Sequence, residues 1–409
     1  MKSYQRWAKL AALNLLIVAS IGVVLRYKIA FSLPMIDHKF LLYGHSHFAF
    51  NGWVSLALFT GIVACLRNQD EIPSPSYQGL FWMSQIASFG MLFTFPFMGY
   101  QLPSILFSTL AIVFSYLFTG YAWRDFLRKR IPSMISRWFK AGLAFFCLSS
   151  LGAFYLAWLM SSRSLTQDLY IGSVYFFLHF QYNGWFLFAI FGLFFYQMDI
   201  QTIKIQGNSG RFLFQLLFYT CLPAFLLSAL WMKLPNWLYW LATIAGWLQA
   251  LALFLLWRLI LPVWKQLKEN LHPVTWRLWQ LSFLALNIKF ILQLLSTIPT
   301  LSHFAFGFRS LVIGYLHLVM LGFVSLFLIG YLVQQNFLSA RSRTAITGII
   351  IFVTGVIINE VLLMAQGINA IEDKSIPAVN DLLFGAALIM FGGLLCFLIF
   401  QWKDQKRFA

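Results

Sequence analysis

The sequence predicts an all-α polytopic membrane protein, with twelve transmembrane helices in three pseudo-symmetric four-helix repeats. Three observations predict it. The 409 residues are 60% hydrophobic and only 10% charged, at a mean hydropathy of +0.77, which leaves too little polar surface to cover a water-soluble domain. Apolar runs recur that are long enough, at about 1.5 Å rise per residue, to cross a hydrocarbon core of about 30 Å. One motif also occurs three times: a histidine with glycine five residues on and an aromatic at the sixth, as His47-Gly52-Trp53, His179-Gly184-Trp185 and His317-Gly322-Phe323.

The expected spans have cores at 9–31, 40–66, 78–99, 102–123, 139–161, 169–198, 212–232, 236–258, 276–298, 309–334, 345–368 and 378–402. The first follows basic Lys2, Arg6 and Lys9 and reads as an uncleaved signal anchor, since the run is long enough to span. A loop with Pro34, Asp37, His38 and Lys39 leads to the second, which holds Gly44-His45-Ser46-His47 and leaves through Arg67. Pro96 lies near the outer end of the third, tolerable where neighbouring helices satisfy the freed carbonyl. The fourth exits into the most basic loop, Arg124 to Lys140. After the fifth comes a long aromatic sixth with the second motif, then a seventh and eighth without histidine. The connection at 259–275 carries Lys265, Lys268, Glu269 and His272-Pro273, read as a loop dipeptide. Lys289 lies in the ninth, His303 and Arg309 precede the tenth with the third motif, and Glu360 lies in the eleventh. Glu372, Asp373 and Lys374 lead to the twelfth.

With the N-terminus inside, 21 of the 29 Lys and Arg fall on the cytoplasmic side, as the positive-inside rule requires. Both termini are then cytoplasmic, in a membrane of the bacterial inner (cytoplasmic) type. The net charge of +17 follows from that topology and from attraction to anionic lipid, so no nucleic-acid partner is needed. Cys65, Cys147, Cys221 and Cys396 fall in four different spans and read as inert core thiols. The chain reads as a single membrane domain, 1–409, with repeats at about 1–137, 138–275 and 276–409.

His47, His179 and His317 are 132 and then 138 residues apart and fall in the second, sixth and tenth spans, each about 10 to 15 Å past the start of its helix. Asn51 and Asn183, four residues on, lie on nearly the same helix face. The glycine at plus five leaves room beside it. A flat macrocycle needs an axial nitrogen and such room, and imidazole is a common haem ligand whose other nitrogen is held by a neighbour. An interhelical hydrogen bond is the plainer use of a membrane histidine. His45, two residues before His47, turns to the opposite face.

These residues and the helix count resemble the main subunit of the haem-copper oxidases (cytochrome c oxidase subunit I) and the related nitric oxide reductases, a twelve-helix fold with its ligands on helices two, six and ten. The resemblance implies that His47 and His317 clamp one low-spin haem b, with a second haem left open. Tyr315 stands where that family has the first histidine of the helix-ten pair. His179 matches a copper ligand of helix six, but the span at 212–232 has no histidine pair, so a copper centre of the usual kind is not expected. The resemblance implies electron transfer, or oxygen or nitric oxide chemistry by an oxidoreductase. No cytochrome c attachment motif is present, so a quinol or a redox partner protein supplies any electrons.

Other candidates remain. Arg309 suits either a haem propionate or interfacial anchoring. His179, His45, His303 and Tyr315 are candidates for a second metal site, with a solvated loop as the plainer place for His303. Lys289 and Glu360 read as an intramembrane ion pair or as proton carriers. The competing function is a repeat-built transporter or channel, with the histidines, Lys289 and Glu360 lining a proton or metal path and no haem.

Overall fold

The structure is a computed structural model that describes residues 2–67, 73–129, 131–203, 208–232, 234–372, 374 and 376–403. Among these the regular elements are all helical. The long helices are α1 (Lys2–Phe31), α2 (His38–Arg67), α3 (Pro75–Met98), α4 (Leu102–Arg128), α5 (Ser133–Ser161), α6 (167–200), α7 (209–229), α8 (Asn236–Asn270), α9 (Pro273–Leu295), α10 (Arg309–Gln334), α11 (Arg343–Ile371) and α12 (Val379–Lys403). A short helix, Pro299–Gly307, precedes α10.

Ten of these helices are long and apolar enough to cross a membrane, and eleven are if α7 is taken as one span bent by 48° between Cys221 and Pro223. Proline causes that bend, because Pro223 has no N–H to continue the ladder and disfavours α geometry at Leu222. The count falls short of twelve because of α6. It is one unbroken helical run, but its own motif places His179, Gln181, Asn183 and Gln197 inside it and lowers its mean hydropathy. Every residue from His179 to Phe195 is buried, so this stretch has no lipid-facing surface that must be apolar.

The chain divides into two compact units. One comprises 1–120 and 325–409, the other 121–324. In the first, α2 is the buried core, with Leu56–Leu66 all inside. Asp37 opens α2 by accepting the Phe40 N–H at 2.8 Å, a strongly preferred N-cap. α11 and α12 approach backbone to backbone: a Cβ on Gly393 would lie 2.4 Å from the Phe352 nitrogen, and one on Gly348 2.5 Å from the Phe397 nitrogen. Small residues at such crossings let membrane helices gain dispersion contact.

In the second unit α5 lies along α6. Trp138 packs at 5.0 Å on Phe191, and Phe146 stacks on Trp185 at 4.8 Å and 12°. α9 starts differently from expectation. His272 is its N-cap, its Nδ1 accepting the Val274 N–H at 3.2 Å with Pro273 in the first turn, a position where proline costs nothing.

Candidate functional site

The three motif helices share a backbone feature. One or two residues after the histidine each leaves α geometry for a π-helical stretch: Ala49–Ser55 in α2, Phe180–Phe186 in α6 and Leu318–Ser325 in α10. π-helix is rare and concentrates at functional positions. Here it appears three times within one residue of the same register, with the plus-five glycine inside each stretch.

A buried side chain from another helix bonds a backbone carbonyl in each stretch. Asn14 of α1 donates to the Gly52 carbonyl at 2.7 Å, and also to Gln85 Oε1 at 2.6 Å. The Cys221 thiol faces the Asn183 carbonyl at 3.8 Å. Ser282 of α9 donates to the Phe323 carbonyl at 2.7 Å. The wider turn alters the hydrogen-bond ladder, and a buried carbonyl left unmatched costs about 1–3 kcal/mol. Nothing in local spacing marks Asn14 or Ser282 for this task, so sequence reasoning missed both.

The three histidines differ chemically. In α10, His317 Nδ1–H donates to the Ile313 carbonyl one turn back, at 2.9 Å. That bond fixes the tautomer with its lone pair on Nε2, the arrangement an axial ligand needs. In α2, His47 stacks on Phe95 at 4.6 Å and 3°, and its Nε2 lies 3.3 Å from the Tyr100 hydroxyl. Iron at that nitrogen would displace this long hydrogen bond. In α6, His179 is fully buried, its Nε2–H donating to the Cys221 carbonyl at 2.8 Å and its Nδ1 accepting from Asn183 at 3.0 Å. Both nitrogens are committed, so His179 fits the role of a satisfied core residue.

The asparagines divide likewise. Asn183 holds the ring of its histidine as the spacing suggests, whereas Asn51 bonds the His47 backbone carbonyl at 3.2 Å. The plus-five glycines do not open space for a macrocycle. A Cβ there would meet Phe48 at Gly52 (2.9 Å), Phe145 at Gly184 (2.5 Å) and Ala285 at Gly322 (3.1 Å), so the room beside each is filled by the protein's own side chains.

The remaining candidates fall as follows. His45 lies against α1, where a Cβ on Gly22 would be 3.6 Å from its Cε1. The side chain of His303 lies outside the described residues. Arg309 is exposed at the start of α10. Tyr315 meets Tyr182 with rings 6.1 Å apart, their hydroxyls are hydrogen-bonded, and Tyr182 also bonds Ser228. His179 and Tyr315 are thus joined through Tyr182, whose ring is 6.5 Å from His179.

Lys289 and Glu360 lie in different units. Lys289 is fully buried, donates to Gln293 Oε1 at 2.8 Å and sits 4.1 Å from the Phe290 ring centroid, with Cys221 and His179 in electrostatic reach. Glu360 accepts from Asn359 at 3.0 Å and feels Arg26 of α1. Each intramembrane charge has a partner in its own unit, and Gln293 and Arg26 were not among the sequence candidates.

Among the described residues no group of three His, Cys, Asp or Glu side chains is placed to hold a metal ion. A haem with two histidine ligands needs no such group. No protein-family model matches the chain, and no curated protein matches it.

Proposed function

We propose that this chain is a haem b-binding membrane protein built like the haem-copper oxidase main subunit, with twelve spans in three four-helix repeats and both termini on the cytoplasmic side of a bacterial-type inner membrane. The observation that carries the proposal is the repeated backbone pattern: three helices each place a histidine one or two residues before a π-helical stretch. A single packing histidine needs no such register.

His47 and His317 are the proposed iron ligands. The Ile313 carbonyl orients the His317 ring, and Phe95 holds the plane of the His47 ring. A haem held by both histidines would supply one-electron chemistry, and reaction with oxygen or nitric oxide would need one of them to leave or a second haem. In this reading Tyr315, Tyr182 and Ser228 provide hydroxyls near His179 that can hold or pass a proton. Copper is not proposed, because the span at 212–232 has no histidine pair.

The test is spectroscopic. Protein purified from haem-replete cells is expected to show a Soret band and a haem b pyridine spectrum. His47→Ala and His317→Ala each abolish both, while His179→Ala retains them in whatever protein folds. Colourless wild-type protein overturns the proposal.

One observation favours a second reading. α7 breaks at Cys221 and Pro223, and Cys221 lies within electrostatic reach of buried Lys289, as in transporters that bind substrate at an interrupted helix. Colourless protein that moves protons or metal ions across liposomes would establish it.

A further inference from the structure

The end of α4 and the start of α5 carry six basic residues and one acidic residue between Tyr121 and Lys140. The inner side of this hairpin is apolar: Ala122 and Phe126 are buried, and Phe126 stacks on Phe139 of α5 at 5.3 Å and 21°. That contact sets the two helix ends side by side. On the outer side of α4, Tyr121 and Trp123 are 36% and 38% exposed.

Two cations are seated on these rings. Lys140 of α5 reaches across to α4, its ammonium 5.7 Å from the Trp123 ring centroid. The Arg124 guanidinium lies 5.2 Å from the Tyr121 ring centroid, one turn back on its own helix. A ring face attracts a cation without taking up its N–H donors, so both cations remain able to bond an anion. Asp125, the one acidic residue, lies 3.7 Å from Arg124 Nε, yet its side chain is 14% exposed where that of Arg124 is 53% exposed. The carboxylate therefore sits inward and the guanidinium outward. Trp123 and Arg124 are consecutive, so their side chains leave the helix about 100° apart, and the cations they carry are spread around α4 instead of converging on one point. Arg128, exposed and one turn on from Arg124, extends the second position.

We propose that this hairpin end is a cardiolipin site, with one phosphate at Lys140, the other at Arg124 and Arg128, and the acyl ester region against Trp123 and Tyr121. Cardiolipin carries two phosphates on one glycerol bridge, so a single molecule meets two separated cation positions. Basic pockets between helix ends on the cytoplasmic side bind such headgroups, and this end is cytoplasmic in the proposed topology. The site is independent of haem binding.

Native mass spectrometry of the full chain with cardiolipin and with phosphatidylglycerol at equal phosphate tests it. Cardiolipin is expected to be retained preferentially. Arg124→Gln with Lys140→Gln weakens it on the order of twentyfold, since each basic residue near an anionic head contributes on the order of fivefold. Tyr121→Leu with Trp123→Leu keeps every charge and also lowers the preference, because the cations lose the rings that place them. The control Lys265→Gln with Lys268→Gln, which removes two charges from the last turns of α8, leaves it unchanged. Equal retention of the two lipids per phosphate by wild-type protein overturns the proposal. So does an unchanged preference in either test variant, or a loss in the control as large as in Arg124→Gln with Lys140→Gln.

Discussion

Asn14 shows how one residue holds a motif it does not belong to. Its amide, fully buried, joins α1 to α2 through the Gly52 carbonyl and to α3 through Gln85. Asn14→Ala strands both acceptors away from water, at about 1–3 kcal/mol for a buried unpaired group. A lower thermal midpoint in detergent is the expected result, and Asn51→Ala, whose bond is a local one to its own helix, should cost less. An equal midpoint for the two variants would show that the Gly52 bond carries no weight. At this scale the histidines were legible because their motif recurs in the sequence, and His47, His179 and His317 each lie one or two residues before a π-helical stretch. Their partners were not. Tyr100, which meets His47, comes from the turn between α3 and α4, and Asn14 and Ser282, which bond the π stretches, from other helices; all lie tens of residues away, and hydropathy holds no record of which side chains meet across a bundle.

The helices show a different division between what was readable and what was not. Runs such as 345–368 and 378–402 were plain from hydropathy because the lipid-facing surface of a helix must be apolar. The bend in α7 had a sequence signal in Pro223, although neither Leu222 nor Pro223 is polar and the run remains apolar through it. The π stretches had none: their residues suit an α-helix, and the wider turn depends on what surrounds it. Glycines were equally ambiguous. Gly392 and Gly393 are adjacent in α12, yet a Cβ at Gly392 meets nothing within 4 Å while one at Gly393 falls 2.4 Å from the Phe352 nitrogen and 2.8 Å from the Gly348 carbonyl oxygen. Gly393→Ala is therefore expected to destabilise by about 1–3 kcal/mol, because backbone must shift to admit it. Gly392→Ala should be neutral or stabilising by about 0.5–1 kcal/mol through helix propensity. Steric-trap or denaturant unfolding of the two variants checks the order, and equal effects would mean that α11 and α12 do not make this close approach.

At the scale of the whole chain, the crossing of the membrane by α6 and α7 decides the topology. Ten spans without them and twelve with them both leave the termini on one side, so a reporter at either terminus cannot separate the two. The connection between α6 and α7 does separate them. If both helices span, residue 208 lies on the side of the basic loop between α4 and α5; if neither does, it stays with the α5–α6 turn. The charges favour the first arrangement, since Lys204 and Arg211 flank that connection and positive residues are retained on the cytoplasmic side. The burial of α6 agrees, because a helix enclosed from His179 to Phe195 can carry His179, Gln181 and Asn183 through a membrane without exposing them to lipid. In a background with the four native cysteines replaced, Asn208→Cys should react with an impermeant maleimide from the same side as Arg137→Cys and from the side opposite Ser164→Cys. Labelling of Asn208→Cys together with Ser164→Cys would remove both helices from the membrane, and with them the equivalence of His179 to His47 and His317 on which the threefold repeat rests.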